Sequence, residues 1–140
     1  MQRSQVAPII LGALILTAIV LGLAVTGGPE AGRLEKQDRV RAEDITRIAR
    51  SYVPCLAGEA DQTLPDSLAE DETCSEGLNT IRLIDPFTDL PYHYEKISDN
   101  RYRVCASFSR AELVAPDTYG GLEFDAKTGC LTKSYSSSLN

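Results

Sequence analysis

The sequence predicts an α+β domain carried on one membrane-spanning helix. Three observations predict it: an uncharged run from Val6 to Val25, an amphipathic helical pattern behind it, and short strand patterns bounded by turn residues in the C-terminal half. Every Asp and Glu of the 140 residues, and all four Cys, lie beyond the uncharged run. The organisation expected is a short stub and membrane helix over 1–26, a Gly-Gly-Pro break over 27–29, a domain over 30–135 and a flexible tail over 136–140.

At about 1.5 Å per residue, the run from Val6 to Val25 spans the roughly 30 Å apolar core of a bilayer. A cleaved signal peptide has a shorter apolar region, about 7–15 residues, ending at a small-residue site. Val25–Thr26–Gly27 is a fair mimic of such a site, but the length favours a retained anchor. Arg3 precedes the span and Glu30 follows it, so the positive-inside rule places the N-terminus in the cytoplasm and the domain outside. Ala18, Gly22 and Thr26 recur every four residues, a stripe of small side chains on which another helix could dock.

The domain is acidic. Of 14 Lys and Arg only Arg3 precedes it, leaving 13 against 20 Asp and Glu, a net charge near −7. Phosphate binding requires a basic surface, so nucleic acid and anionic headgroups are excluded as electrostatic partners. With no Trp and three Phe, six Tyr and the aliphatic residues must build the core.

Pro29 suits the first turn of a second helix, where its missing N–H costs nothing, and Glu30 suits the positive helix end. A helix from Glu30 to Val53 is expected, with Ala42, Ile45, Ile48, Ala49 and Tyr52 on one face. Asp38, Arg41, Asp44 and Arg47 then form a solvated charged face, and Pro54 ends or kinks the helix. Gly58 to Asp61 reads as a turn, Leu64–Leu68 as a loop entering a short helical turn, and Asp71–Thr80 as irregular. Asp85–Pro86–Phe87–Thr88–Asp89–Leu90–Pro91 predicts a compact turn. It leads into a hairpin of Tyr92–Ile97 and Arg101–Phe108. A further strand pair is expected at Gly121–Phe124 and Cys130–Tyr135, with Ser134–Asn140 frayed at the end.

Cys55, Cys74, Cys105 and Cys130 form an even set in an extracytoplasmic setting, the pattern of two disulfides. None of the close Cys pairs of a zinc site, a thioredoxin-type site or a haem attachment is present. Strand alternation puts Cys105 with Arg103 and Ser107, and Cys130 with Thr132 and Ser134, on the outward side of one sheet. That register pairs Cys105 with Cys130 and leaves Cys55 for Cys74.

No reactive constellation stands out. His93 is the only histidine, and no nucleophile elbow accompanies it. Gly27–Gly28 and Gly120–Gly121 lack the rest of a phosphate loop. Asp71 and Glu72 sit in a polar segment with nothing to raise a carboxyl pKa. Tyr92, Tyr94 and Tyr102 read as cross-strand packing. No catalytic, cofactor-binding or metal residue is therefore assigned.

The words Leu64–Pro65–Asp66–Ser67–Leu68, Asp85–Pro86–Phe87–Thr88–Asp89–Leu90–Pro91–Tyr92–His93–Tyr94 and Tyr102–Arg103–Val104–Cys105–Ala106 resemble those of the pilin-like superfamily. Within it they are similar to the "LPxSL", "DPxTGxPYxY" and "YxLCAxF" patterns of type II secretion major pseudopilins and related membrane-anchored bacterial proteins. The resemblance covers roughly Leu34 to Phe108. It implies a long helix laid on a small antiparallel sheet, in the periplasm, anchored in a bacterial inner membrane. Asp89 stands where the family's turn glycine stands, and neither the glycine of the processing site nor the acid of the mature helix occurs here. The function expected is a non-catalytic accessory or assembly protein of an envelope complex, binding other proteins through the span (Ala18, Gly22, Thr26) and the domain. A pseudopilin-like filament subunit and a small periplasmic enzyme using His93 are the alternatives. Calcium, bound by some pseudopilins, would find oxygen ligands at Asp117, Glu123 and Asp125, which otherwise read as exposed acids.

Overall fold

A computed structural model describes residues 3–26, 28–59, 62–76 and 81–136. The chain forms two compact units, Met1–Leu34 and Glu35–Asn140. In the first, helix α1 (Arg3–Thr26) is apolar on every side, and its Ile, Leu and Val side chains are exposed from Val6 to Val25. It is long and apolar enough to cross a membrane. Ala18 and Gly22 lie on it, whereas the Thr26 side chain and Gly27 fall outside the described residues. Helix α2 (Gly28–Arg47) starts where Gly28 adopts φ 69°, in the left-handed region, and carries Pro29 and Glu30 in its first turn.

Pro54 does not end the helix. Arg47 leads into a π turn, Ile48–Tyr52, and a further helix, α3 (Val53–Glu59), continues past the proline and includes Gly58. The Val53 N–H reaches the Ile48 carbonyl, five residues back. This widened turn takes in the missing donor without breaking the rod. The turn expected at Gly58–Asp61 is thus helical as far as Glu59, and 60–61 lie outside the described residues.

The sheet is antiparallel, in the order β1-β2-β4-β3, from β1 (His93–Ser98), β2 (Arg101–Cys105), β3 (Leu122–Asp125) and β4 (Cys130–Ser134). Two hairpins, β1–β2 and β3–β4, join along β2–β4, where Val104 faces Leu131 and Cys105 faces Cys130. The second strand stops at Cys105, short of the expected Phe108. In the second hairpin Gly129 takes φ 68°, and a Cβ there would lie 2.6 Å from the Ala106 carbonyl, so only glycine fits.

The core lies between the helix and one sheet face. Ala42, Ile45, Ile48, Ala49, Tyr52 and Val53 are buried, as the periodicity predicts, and so are Tyr102, Val104, Leu122 and Leu131. The π turn packs on β2 and β4. Burying an aliphatic side chain is worth about 1.5–3 kcal/mol, so this seam supplies the main driving force for the domain.

The loops are more ordered than their sequence implies. Leu64 is buried and Leu68 packs against the core, but the segment bends there without a helical turn. The stretch expected to be irregular contains a short helix, α4 (Glu72–Glu76). The Asp71 carboxylate accepts the Cys74 N–H at its start. Tyr52 fastens this loop, donating to the Ala69 carbonyl at 2.6 Å and accepting the Asp71 N–H. Disulfides join Cys55 to Cys74 and Cys105 to Cys130. Cys130 lies with Cys105 on the sheet face away from Val104 and Leu131, as the alternation predicts, yet it is buried there. Ser134 belongs to β4 and the Tyr135 N–H bonds to the Asn100 carbonyl, so the ordered chain extends further into the Ser-rich tail than composition indicates.

Candidate docking surface and buried ion network

Three of the four charges expected on a solvated face of α2 are not in water. Asp38, Arg41 and Asp44 are buried, at 1 %, 4 % and 1 % exposure; Arg47 alone of the four is exposed. Charges at i, i+3 and i+6 read as surface because burial of an unpaired charge is prohibitive. Here each is paired. Arg41 donates from Nε to Asp85 Oδ2 at 2.7 Å and from Nη1 to Asp38 Oδ1 at 2.9 Å. Its guanidinium lies 5.3 Å from the centre of the Phe87 ring. Asp38 also accepts the backbone N–H groups of Ser109 and Arg110. Asp44 accepts from the Tyr92 hydroxyl at 2.9 Å and from Arg82, whose side chain is 42 % exposed.

This network fixes two loops to one helix. Asp85 is held by Arg41 and caps its own turn by accepting the Phe87 N–H; the Asp85 N–H bonds to the Leu90 carbonyl. Asp89 closes that turn at φ 56°. Burial raises the Asp85 carboxyl, but the Arg41 bond, the Phe87 N–H, the Arg41 charge and Thr88 outweigh it and hold it below the usual carboxylate value. Burial first, then the bond to Asp44, pushes the Tyr92 phenol far up, so it remains a donor. Among the described residues no buried side-chain nitrogen or oxygen lacks a partner. A satisfied network of this kind ties the 82–92 and 109–110 segments to α2.

The other candidates are equally engaged. His93 is exposed on β1, 3.9 Å from Glu95. The Tyr94 hydroxyl donates to the Pro65 carbonyl and its ring lies 6.1 Å from that of Tyr102, the cross-strand packing expected. Asp71 caps α4 instead of pairing with Glu72. Asp117, Glu123 and Asp125 are not brought together. Asp117 binds Arg50, Glu123 binds Arg101, and Asp125 accepts from the Lys127 N–H and Thr128 within its turn. Among the described residues no cluster of His, Cys, Asp or Glu could hold a metal ion.

The Glu35–Asn140 unit also leaves several apolar side chains exposed. Phe87 and Leu90 are exposed on the 85–91 turn, and Ile84 is exposed just before it. An open groove of about 440 Å³ runs between α2 and the segment 113–117. Ala42 and Thr46 form its floor, Leu113 to Pro116 one wall, and Glu35, Arg39, Glu43 and Arg47 the other. Leu113 is 52 % exposed beside it. Charge and shape identify this groove only after folding, since its walls come from segments some 70 residues apart.

No protein-family model matches the chain, and no curated protein or solved structure shows significant similarity to it.

Proposed function

We propose that the protein is a non-catalytic, single-pass membrane protein holding a pilin-like α+β domain in the periplasm of a bacterial envelope. There it acts as an accessory or assembly subunit that binds other proteins. The observation that carries this reading is the pairing of two unlike parts in one chain. One is an apolar helix with its side chains exposed; the other is an acidic domain stapled by two disulfides, whose buried charges satisfy each other. Disulfides persist in oxidising compartments, which supports the extracytoplasmic side. The pilin-like reading draws support from Asp89, which occupies the family's glycine position with a left-handed φ of 56°. The groove beside α2 offers the protein-binding surface.

Two measurements test it. Membranes washed at high salt and alkaline pH should retain the full-length protein, and release of the domain into the soluble periplasm would end the anchor reading. A photo-reactive residue at Arg47 should give a discrete protein adduct in native membranes; none at that position would remove the groove from the binding role. Intact mass separates the filament alternative, which requires loss of an N-terminal leader. An enzymatic activity abolished by His93→Ala would establish the enzyme alternative instead.

A further inference from the structure

The wall of the groove formed by α2 has an alternating charge pattern: Glu35, Arg39, Glu43 and Arg47, each four residues from the next. Side chains at that spacing line up along one side of a helix, and the row is about 18 Å long. Glu35 and Arg39 bond to each other at 3.2 Å, with side chains 54 % and 71 % exposed. Among the described residues Glu43 and Arg47 have no hydrogen-bond or ion-pair partner. Beside them lie the small Ala42 and Thr46 and the exposed Leu113. The surface is thus a charged ridge next to an apolar trough.

Such a row is complementary to itself at all four positions in one arrangement. Two copies set antiparallel about the midpoint between Arg39 and Glu43 bring Glu35 opposite Arg47 and Arg39 opposite Glu43, twice over by symmetry. Set parallel and in register, the same rows place like charges together at all four positions. We propose that this face of α2 pairs antiparallel with the same face of a second copy of the chain, each ridge entering the other's trough. A two-fold pair of this type is self-complementary and closed. Leu113 of each copy covers the Ala42–Thr46 floor of the other, and the four charge pairs fix the register. The proposal rests on the reading of the groove as a protein-binding surface and names its occupant.

The test is sedimentation velocity of the full-length protein in neutral detergent micelles, for the wild type, Glu43→Arg and the double exchange Arg39→Glu/Glu43→Arg. Both positions are exposed, and circular dichroism checks that the fold is kept. The wild type should show a concentration-dependent dimer. Glu43→Arg turns two of the four contacts repulsive and should raise the dissociation constant about tenfold. The double exchange restores opposite signs at every antiparallel contact and should return the constant toward the wild-type value. A parallel pair staggered by four residues would instead gain two repulsive contacts from the double exchange. A double variant that binds no more tightly than Glu43→Arg therefore overturns the antiparallel pair. A dimer insensitive to Glu43→Arg also overturns it, placing the contact elsewhere. A monomeric wild type overturns self-pairing and leaves the broader protein-binding reading to the cross-linking result at Arg47.

Discussion

The hydroxyl of Tyr102, on β2, donates to the carbonyl of Ala49 inside the π turn. In that turn bonds run to the fifth residue, so Ala49 would look to Pro54 for a donor, and proline has none. The sheet thus supplies the hydrogen bond that the helix cannot. Tyr102→Phe leaves this buried carbonyl unpaired and should cost about 1–3 kcal/mol in denaturant unfolding. In a Pro54→Ala background, where residue 54 regains its N–H, the same change should cost less. Equal costs in both backgrounds would show that Pro54 does not set the demand.

Asp85 gives the acid limb of stability. Its carboxyl is held below the ordinary value in the folded domain, so its contribution is fully present above the unfolded value, about 3.9, and is lost as pH falls through the folded one. Asp85→Asn keeps an oxygen for the Phe87 N–H but removes the charge facing Arg41. The stability difference between wild type and Asp85→Asn should be level from pH 7 to about 5 and shrink below about 4. A difference independent of pH down to 2 would contradict the Arg41–Asp85 assignment.

Arg41 is the more severe position. Replacing it with Met leaves Asp38 and Asp85 buried without their cation, a loss of roughly 3–5 kcal/mol. Lys cannot reproduce the forked geometry and should recover only part of this. Thermal unfolding of the two variants ranks them.

At Asp89 the backbone, not the side chain, sets the outcome. Asp89→Gly relieves a left-handed residue and should be neutral or stabilising by up to about 1 kcal/mol, whereas the β-branched Asp89→Val should be clearly destabilising. Stabilisation by Val would mean that the turn is not left-handed there.

The loop around Tyr119 is held by an internal cation. Arg50 takes the Asp117 carboxylate and the carbonyls of Asp117 and Tyr119. Chelator should leave the melting temperature unchanged, whereas Arg50→Ala should speed amide exchange at Tyr119 with the core amides unaffected. A fall in melting temperature on chelation would point to a metal in this loop.

The apolar face of α2 and the π turn, and both hairpins, are legible in the sequence, because Ala42, Ile45 and Ala49 follow the helical period and Tyr102 and Val104 the strand period. Asp38, Arg41 and Asp44 are not, because what permits their burial lies far along the chain. Asp85 is 44 residues from Arg41, Tyr92 is 48 from Asp44, and the Arg110 amide is 72 from Asp38. A local window sees three charges and assigns them to water. The passage through Pro54 is hidden for the same reason, since its remedy is the Tyr102 hydroxyl. The groove is hidden too, because only one of its walls is a periodic element.

The sheet order has a consequence for how the chain meets its neighbours during synthesis. Each hairpin closes over a few residues, but β2 and β4, one from each, must find one another to complete the sheet. Until they do, each hairpin presents an open inner edge that any other nascent copy could occupy. The bond between Cys105 and Cys130 spans that seam and no other. Once oxidised, it makes the correct edge a covalent neighbour and every foreign edge a competitor at a distance. The bridge then acts as a lock on partner choice within the chain, set at the junction where the two hairpins meet.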